Sequence, residues 1–252
     1  MLLATAELLA PSLAGILVGI SLGLTGGGGS IFALPLLVHV LHASVRESVT
    51  ISLAAVGSTA LFGAILKRGH VDWQVGLLFA LAGIVGAPFG SWLGTKLPPQ
   101  VILLGFAGLM VIAGLRMWRR PTRAEPSVAI RAVTNRPLLI SGGLVAGILA
   151  GIFGVGGGFI VVPALVLGAG LPMRQAVATS LFAIALISAS AFISQSFNQG
   201  SPLNLQLLAP FTAGAWAGMA AGSSLRSLLS EIALRRTFAV SMWGVAIAMV
   251  FK

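Results

Sequence analysis

Ten apolar stretches, at about residues 8–24, 30–42, 48–66, 73–95, 99–117, 137–153, 158–170, 176–196, 203–224 and 232–251, follow one another with hardly a charge inside them. A helix rises ~1.5 Å per residue, so about 20 apolar residues cross the ~30 Å of hydrocarbon in a bilayer. Six of the stretches reach that length. Soluble chains carry about 25% charged residues; with 8% charged and 57% hydrophobic, these 252 residues cannot cover a water-facing surface. The expected fold class is an all-α polytopic membrane protein. The start, MLLATAELLAPS, has Glu7 as its one charge and lacks the basic region of a cleavable signal, so the first segment is expected to remain. With no cysteine, disulfides, thiolate metal sites and thiol catalysis are excluded. The net charge of +10 lies at the ends of apolar stretches and in one central loop, where lipid headgroups and topology explain it better than nucleic acid does.

The stretches at 30–42 and 158–170 are too short to span, and each follows a glycine cluster instead of a polar loop. They are copies of each other. A shift of 128 positions lays GLTGGGGSIFALP (Gly23 to Pro35) over GIFGVGGGFIVVP (Gly151 to Pro163) without a gap, and gives 22 identities in 83 positions between Gly15 and Leu97. This is an internal duplication. It divides the chain into an N-terminal membrane repeat (1–118), a basic loop (119–136) and a C-terminal membrane repeat (137–252). Glycine ladders recur as well: Gly15, Gly19 and Gly23 match Gly143, Gly147 and Gly151, and Gly86, Gly90 and Gly94 match Gly214, Gly218 and Gly222. A four-residue glycine spacing lets helix backbones approach closely in lipid.

Orientation follows from the basic residues. Arg116, Arg119, Arg120, Arg123, Arg131 and Arg136 mark the central loop as cytoplasmic. If each short piece merely continues its span, the halves are parallel, with nine basic residues inside and six outside. If each turns back as a hairpin, every half has five segments and the copies are inverted. Lys67, Arg68, the six loop arginines, Arg174, Arg226, Arg235 and Arg236 then lie inside, against Arg46, Lys96 and Lys252 outside. Twelve to three fits the positive-inside bias better. Two inverted repeats are therefore expected, each a glycine-hinged hairpin of broken helices plus three transmembrane helices, with both termini outside.

Inverted repeats with interrupted helices are a plan of secondary transporters, which bind substrate near the midplane where the broken elements meet. Irregular backbone at that depth must be buried in protein or line a polar cavity. The clusters at 25–30 and 153–158 also lead into helices whose first N–H groups lack intrahelical partners and carry partial positive charge. Facing each other, they would offer donors to a small anionic substrate. The candidate binding residues are Thr25, Gly26, Gly27, Gly28, Gly29, Ser30 and Ser52 in the first half, with Phe153, Gly154, Gly156, Gly157, Gly158, Thr179 and Ser180 in the second.

On these residues the chain resembles the TauE/SafE sulfite exporter family of membrane permeases. The resemblance covers nearly the whole chain; its most specific element is the pair of Gly-rich motifs followed by Pro35 and Pro163 at half-chain spacing. It implies transport of small sulfur-containing anions, such as sulfite, sulfoacetate and other organosulfonates, across a prokaryotic plasma membrane, and leaves direction open. The second copy has Phe153 and Val155 where the first has Thr25 and Gly27, so the two loops cannot contribute equal polar contacts.

Plainer roles compete at several positions. The glycine clusters could serve close packing alone, and Ser52 and Ser180 could bond the backbone one turn earlier. Arg46 and Arg174 suit interfacial anchors, and Trp73 and Trp118 an aromatic belt. His39 and His42 have no counterparts in the second copy, where Leu167 and Gly170 stand. The five acids, Glu7, Glu47, Asp72, Glu125 and Glu231, all sit at segment ends or in loops, leaving no mid-membrane carboxylate for a proton or sodium relay. No lysine follows the glycines as in a nucleotide phosphate loop, and no catalytic or metal-ligating pattern is found at segment depth, so neither enzyme activity nor a cofactor is expected. An anion channel and a non-transporting intramembrane scaffold or assembly factor remain as alternatives; self-association is open.

Overall fold

The computed structural model describes residues 2–119, 135–199 and 204–225. Most of the basic central loop, the tenth apolar stretch at 232–251 and the basic residues from Arg226 onward lie outside them. All regular structure among the described residues is helical: α1 (Leu2–Thr25), α2 (Gly28–Val40), α3 (Val45–Leu66), α4 (Trp73–Lys96), α5 (Pro99–Arg119), α6 (Arg136–Phe153), α7 (Gly158–Gly168), α8 (Met173–Gln199) and α9 (Leu205–Leu225). Five of them, α1, α3, α4, α6 and α8, are long and apolar enough to cross a membrane. Polar residues set three of the helix starts. Ser44 accepts from the Glu47 amide to open α3, Asp72 from Val75 to open α4, and Asn135 from Leu138 to open α6.

Both short helices fold back on the helix before them. Gly29, in the first turn of α2, lies against the backbone of Ser21 and Leu22 in α1. In the second half, Gly157 abuts the Ala146 carbonyl, Gly142 meets Ala164, and the Asn135 amide donates to the Gly168 carbonyl at 3.0 Å. The end of α7 thus returns to the start of α6. The helix α2 is the less regular of the pair, passing from a 3₁₀ turn through one α turn into a π turn at Leu36–Val40.

The glycine ladders join the halves. Gly15, Gly19 and Gly23 of α1 rest on the carbonyls of Phe211, Ala215 and Met219 in α9, and Gly214, Gly218 and Gly222 return the contact to Ser12, Ile16 and Ile20. The α4–α6 pair repeats it, with Gly86 and Gly90 on Leu144 and Ile148, and Gly143, Gly147 and Gly151 on Phe79, Gly83 and Ala87. In both pairs the helices run parallel. A methyl group at most of these positions would collide with main chain, which cannot step aside as a side chain can.

Between the ladder pairs lie α3 and α8, the two most buried spans. They run antiparallel, since Gly57 faces Ser188 while Gly63 faces Leu181. The helix α4 runs parallel to α8, tied by Asp72 N–H to Thr179 Oγ1 (2.9 Å), Ser190 Oγ to the Ile84 carbonyl (3.0 Å) and Ser91 Oγ to the Ala191 carbonyl (3.3 Å). At one end of this layer, Gly69 and Gln175 line the same shallow concavity of about 470 Å³.

Candidate functional site

The two glycine hinges meet inside the protein. Gly27 and Gly158 are in reciprocal backbone contact, each lying where the other's side chain would be. At the second hinge Gly154, Gly156 and Gly157 have φ of 71°, 65° and 66°, a left-handed path that a residue with a Cβ enters only at a cost. The first hinge needs one such residue, Gly26, with φ of 78°. Corresponding residues of the copies clasp the hinges: Val49 of α3 packs on Gly154, and Val177 of α8 on Gly26.

The surroundings of the hinges are not equivalent. The first is closed by its own polar groups. Thr25 Oγ1 donates to the Ser21 carbonyl (2.7 Å) and accepts from the Gly29 amide (3.2 Å), and Ser30 Oγ donates to the Gly27 carbonyl (2.8 Å). Ser180 Oγ reaches the Gly26 carbonyl (2.7 Å), and Lys67 Nζ caps the Gly23 carbonyl at the end of α1 (2.9 Å). Thr25 and Gly28 are half-buried; Gly26, Gly27, Gly29 and Ser30 are buried. At the second hinge, Phe153 replaces Thr25 and turns its ring to α5, 5.6 Å from Phe106. No side chain caps the start of α7, and residues 151–158 are all buried.

The structure therefore brings Thr25, Ser30 and Ser180 to the first hinge and spends their hydroxyls on main-chain carbonyls. Thr179 goes elsewhere, to the start of α4. Ser52, the counterpart of Ser180, is fully buried with no partner for its hydroxyl. Ser48, Thr59 and Ser188 share that condition, and none was singled out by sequence. A helical spacing does link 48, 52 and 59, but only the packing reveals that their partners are missing.

The outlying candidates have local roles. Arg46 Nη2 donates to the Thr95 carbonyl at the end of α4 (3.2 Å), and Trp73 stands edge-on to Phe182, ring centres 5.0 Å apart. His42 is exposed in the turn after α2, with φ of 52°, while His39 is part-buried and its Nδ1 has no partner. Among the described residues no group of three or more His, Asp or Glu is placed to hold a metal ion.

Comparison with known proteins points the same way as this architecture. The profile of the family described as "Sulfite exporter TauE/SafE" matches residues 12–249. A "Probable membrane transporter protein" of Xylella fastidiosa (strain Temecula1 / ATCC 700964) is 34% identical over 246 residues, covering 94% of this chain and 93% of that protein. The "Probable membrane transporter protein YdhB" of Bacillus subtilis (strain 168) is 25% identical over 87% of this chain and 90% of its own length. The "Probable membrane transporter protein MJ0441" of Methanocaldococcus jannaschii is 27% identical, covering 71% and 69%. No solved structure gives a significant match.

Proposed function

The chain belongs to the TauE/SafE sulfite exporter family, and from that premise we propose that it is a secondary permease for small sulfur oxyanions or organosulfonates, such as sulfite or sulfoacetate, working by alternating access around the paired hinges. The observation that carries this reading is the backbone contact of Gly27 with Gly158 deep among the helices. Two broken helices that meet at such depth match the plan by which secondary transporters form a midplane site, and amides at a helix start suit an anion.

The ladders supply a mechanical basis. α1 with α9 and α4 with α6 are backbone-tight pairs, each drawing one helix from either half, and each carries one hinge at the end of α1 or α6. Rocking one pair against the other about Gly27 and Gly158 opens the hinges to one side and then the other. Burial of the second hinge fits a closed stage of this cycle. The two halves are read as inverted repeats in a prokaryotic plasma membrane, with the central loop cytoplasmic. The antiparallel α3 and α8 and the return of α7 to Asn135 support this arrangement, as does the twelve-to-three distribution of basic residues.

Thermal unfolding of the purified protein with sulfite, sulfoacetate and a neutral solute tests the assignment. The anions are expected to raise the midpoint and the neutral solute to leave it unchanged. A midpoint indifferent to every anion favours a scaffold whose glycines only pack.

A further inference from the structure

We propose that the anion is held by the second hinge alone, in a cradle formed by the Gly156 turn and the hydroxyls of Ser52, Thr59 and Ser188, while the first hinge is a closed pivot. This deepens the permease reading above and rests on it. Ser52 and Thr59 lie on one face of α3 together with Val56, at the i, i+4, i+7 spacing of a helical stripe. Val56 touches Gly156, as does Ser188 from α8: a Cβ on Gly156 would stand 3.4 Å from Val56 Cγ1 and 2.7 Å from Ser188 Oγ. Ser188 in turn packs on Gly57. The stripe and Ser188 therefore converge on the turn that opens α7.

All three hydroxyls are 0% exposed and lack a hydrogen-bond partner. Serine and threonine in helices commonly bond a carbonyl of the preceding turn. Their neighbours do so, Thr50 to Arg46 and Ser58 to Ala55 on α3, and Ser196 to Phe192 on α8. Ser52, Thr59 and Ser188 do not, nor does Ser48 one turn before Ser52; of these, Ser188 Oγ stands directly against Gly156. An isolated buried hydroxyl is uncommon, and a group of them calls for an explanation, which a bound oxyanion supplies. At the first hinge the equivalents are occupied or apolar: Ser180 bonds Gly26, and the counterparts of Thr59 and Ser188 are Ile187 and Ala60. Phe153 also withholds from Gly157 the hydroxyl that Thr25 gives Gly29. A neutral cradle of hydroxyls and amides suits a small oxyanion that must be released again, since it supplies several donors and no fixed countercharge.

The test is counterflow of radiolabelled sulfite and sulfoacetate in proteoliposomes carrying the full chain, with Ser188→Ala, Thr59→Val and the hydroxyl-retaining Ser188→Thr and Thr59→Ser. Loss of one hydrogen bond to a charged ligand is expected to raise the half-saturating concentration roughly ten- to a hundredfold. The hydroxyl-retaining variants should recover most of it, a pattern that a packing defect would not give. Thermal unfolding of each variant verifies its fold. Anion counterflow with unchanged half-saturation in both Ser188→Ala and Thr59→Val overturns the single-hinge site and leaves the permease reading standing. No counterflow of any anion by the native chain overturns both.

Discussion

The hydroxyl of Ser180 donates to the carbonyl of Gly26, 2.7 Å away and 154 residues earlier in the chain. One hydrogen bond thus fastens the first hinge to the central helix of the other half. Its counterpart Ser52, 128 positions earlier, stands beside the second hinge with no such bond. Ser180→Ala leaves a buried carbonyl short of a donor and should cost about 1–3 kcal/mol. Ser52→Ala removes a hydroxyl that bonds nothing and should cost little or nothing in stability. Thermal unfolding of the two variants in one detergent checks the difference: the midpoint falls for Ser180→Ala only.

Gly27 and Gly158 approach so closely that neither side has room for a methyl. Gly27→Ala and Gly158→Ala are expected to hold the hinges apart, so that the protein inserts but transports at a small fraction of the native rate. Sulfite counterflow, normalised to the amount of protein in the vesicles, measures this.

The ladder glycines should respond differently from a glycine in open space. Gly218→Ala drives its methyl into the Ile16 carbonyl and separates α1 from α9, so a large loss of thermal stability is expected. A methyl at Gly108 in α5 meets nothing within 4 Å, and alanine there should be neutral or stabilising by roughly 0.5–1 kcal/mol. Unfolding midpoints of the two variants separate the cases.

How much of this was legible in the sequence differs from element to element. The 128-residue shift exposed the hinges and ladders because glycine is the residue that close backbone approach requires, and identical spacings recur in both halves. The inequality of the hinges was visible only as Phe153 and Val155 facing Thr25 and Gly27. The unpaired hydroxyls were not legible. Comparing the copies draws attention to Ser52 and Ser180, whereas Thr59 and Ser188 oppose an isoleucine and an alanine and so drop out of the comparison. Thr179 sits next to Ser180 in the chain, but adjacent helical residues point about 100° apart, and Thr179 turns to Asp72 instead.

Membrane orientation can be read by labelling on this cysteine-free chain. Gly69 and Gln175 line one concavity, so Gly69→Cys and Gln175→Cys should react with an impermeant maleimide from the same, cytoplasmic side. A parallel arrangement of the halves places them on opposite sides.

The most direct measurement is counterflow in proteoliposomes preloaded with unlabelled sulfite and exposed to radiolabelled sulfite outside. Transient accumulation of label, abolished by Gly158→Ala and competed by sulfoacetate but not by a neutral sugar, is the predicted result. Uptake of the sugar with indifference to every anion would contradict the account.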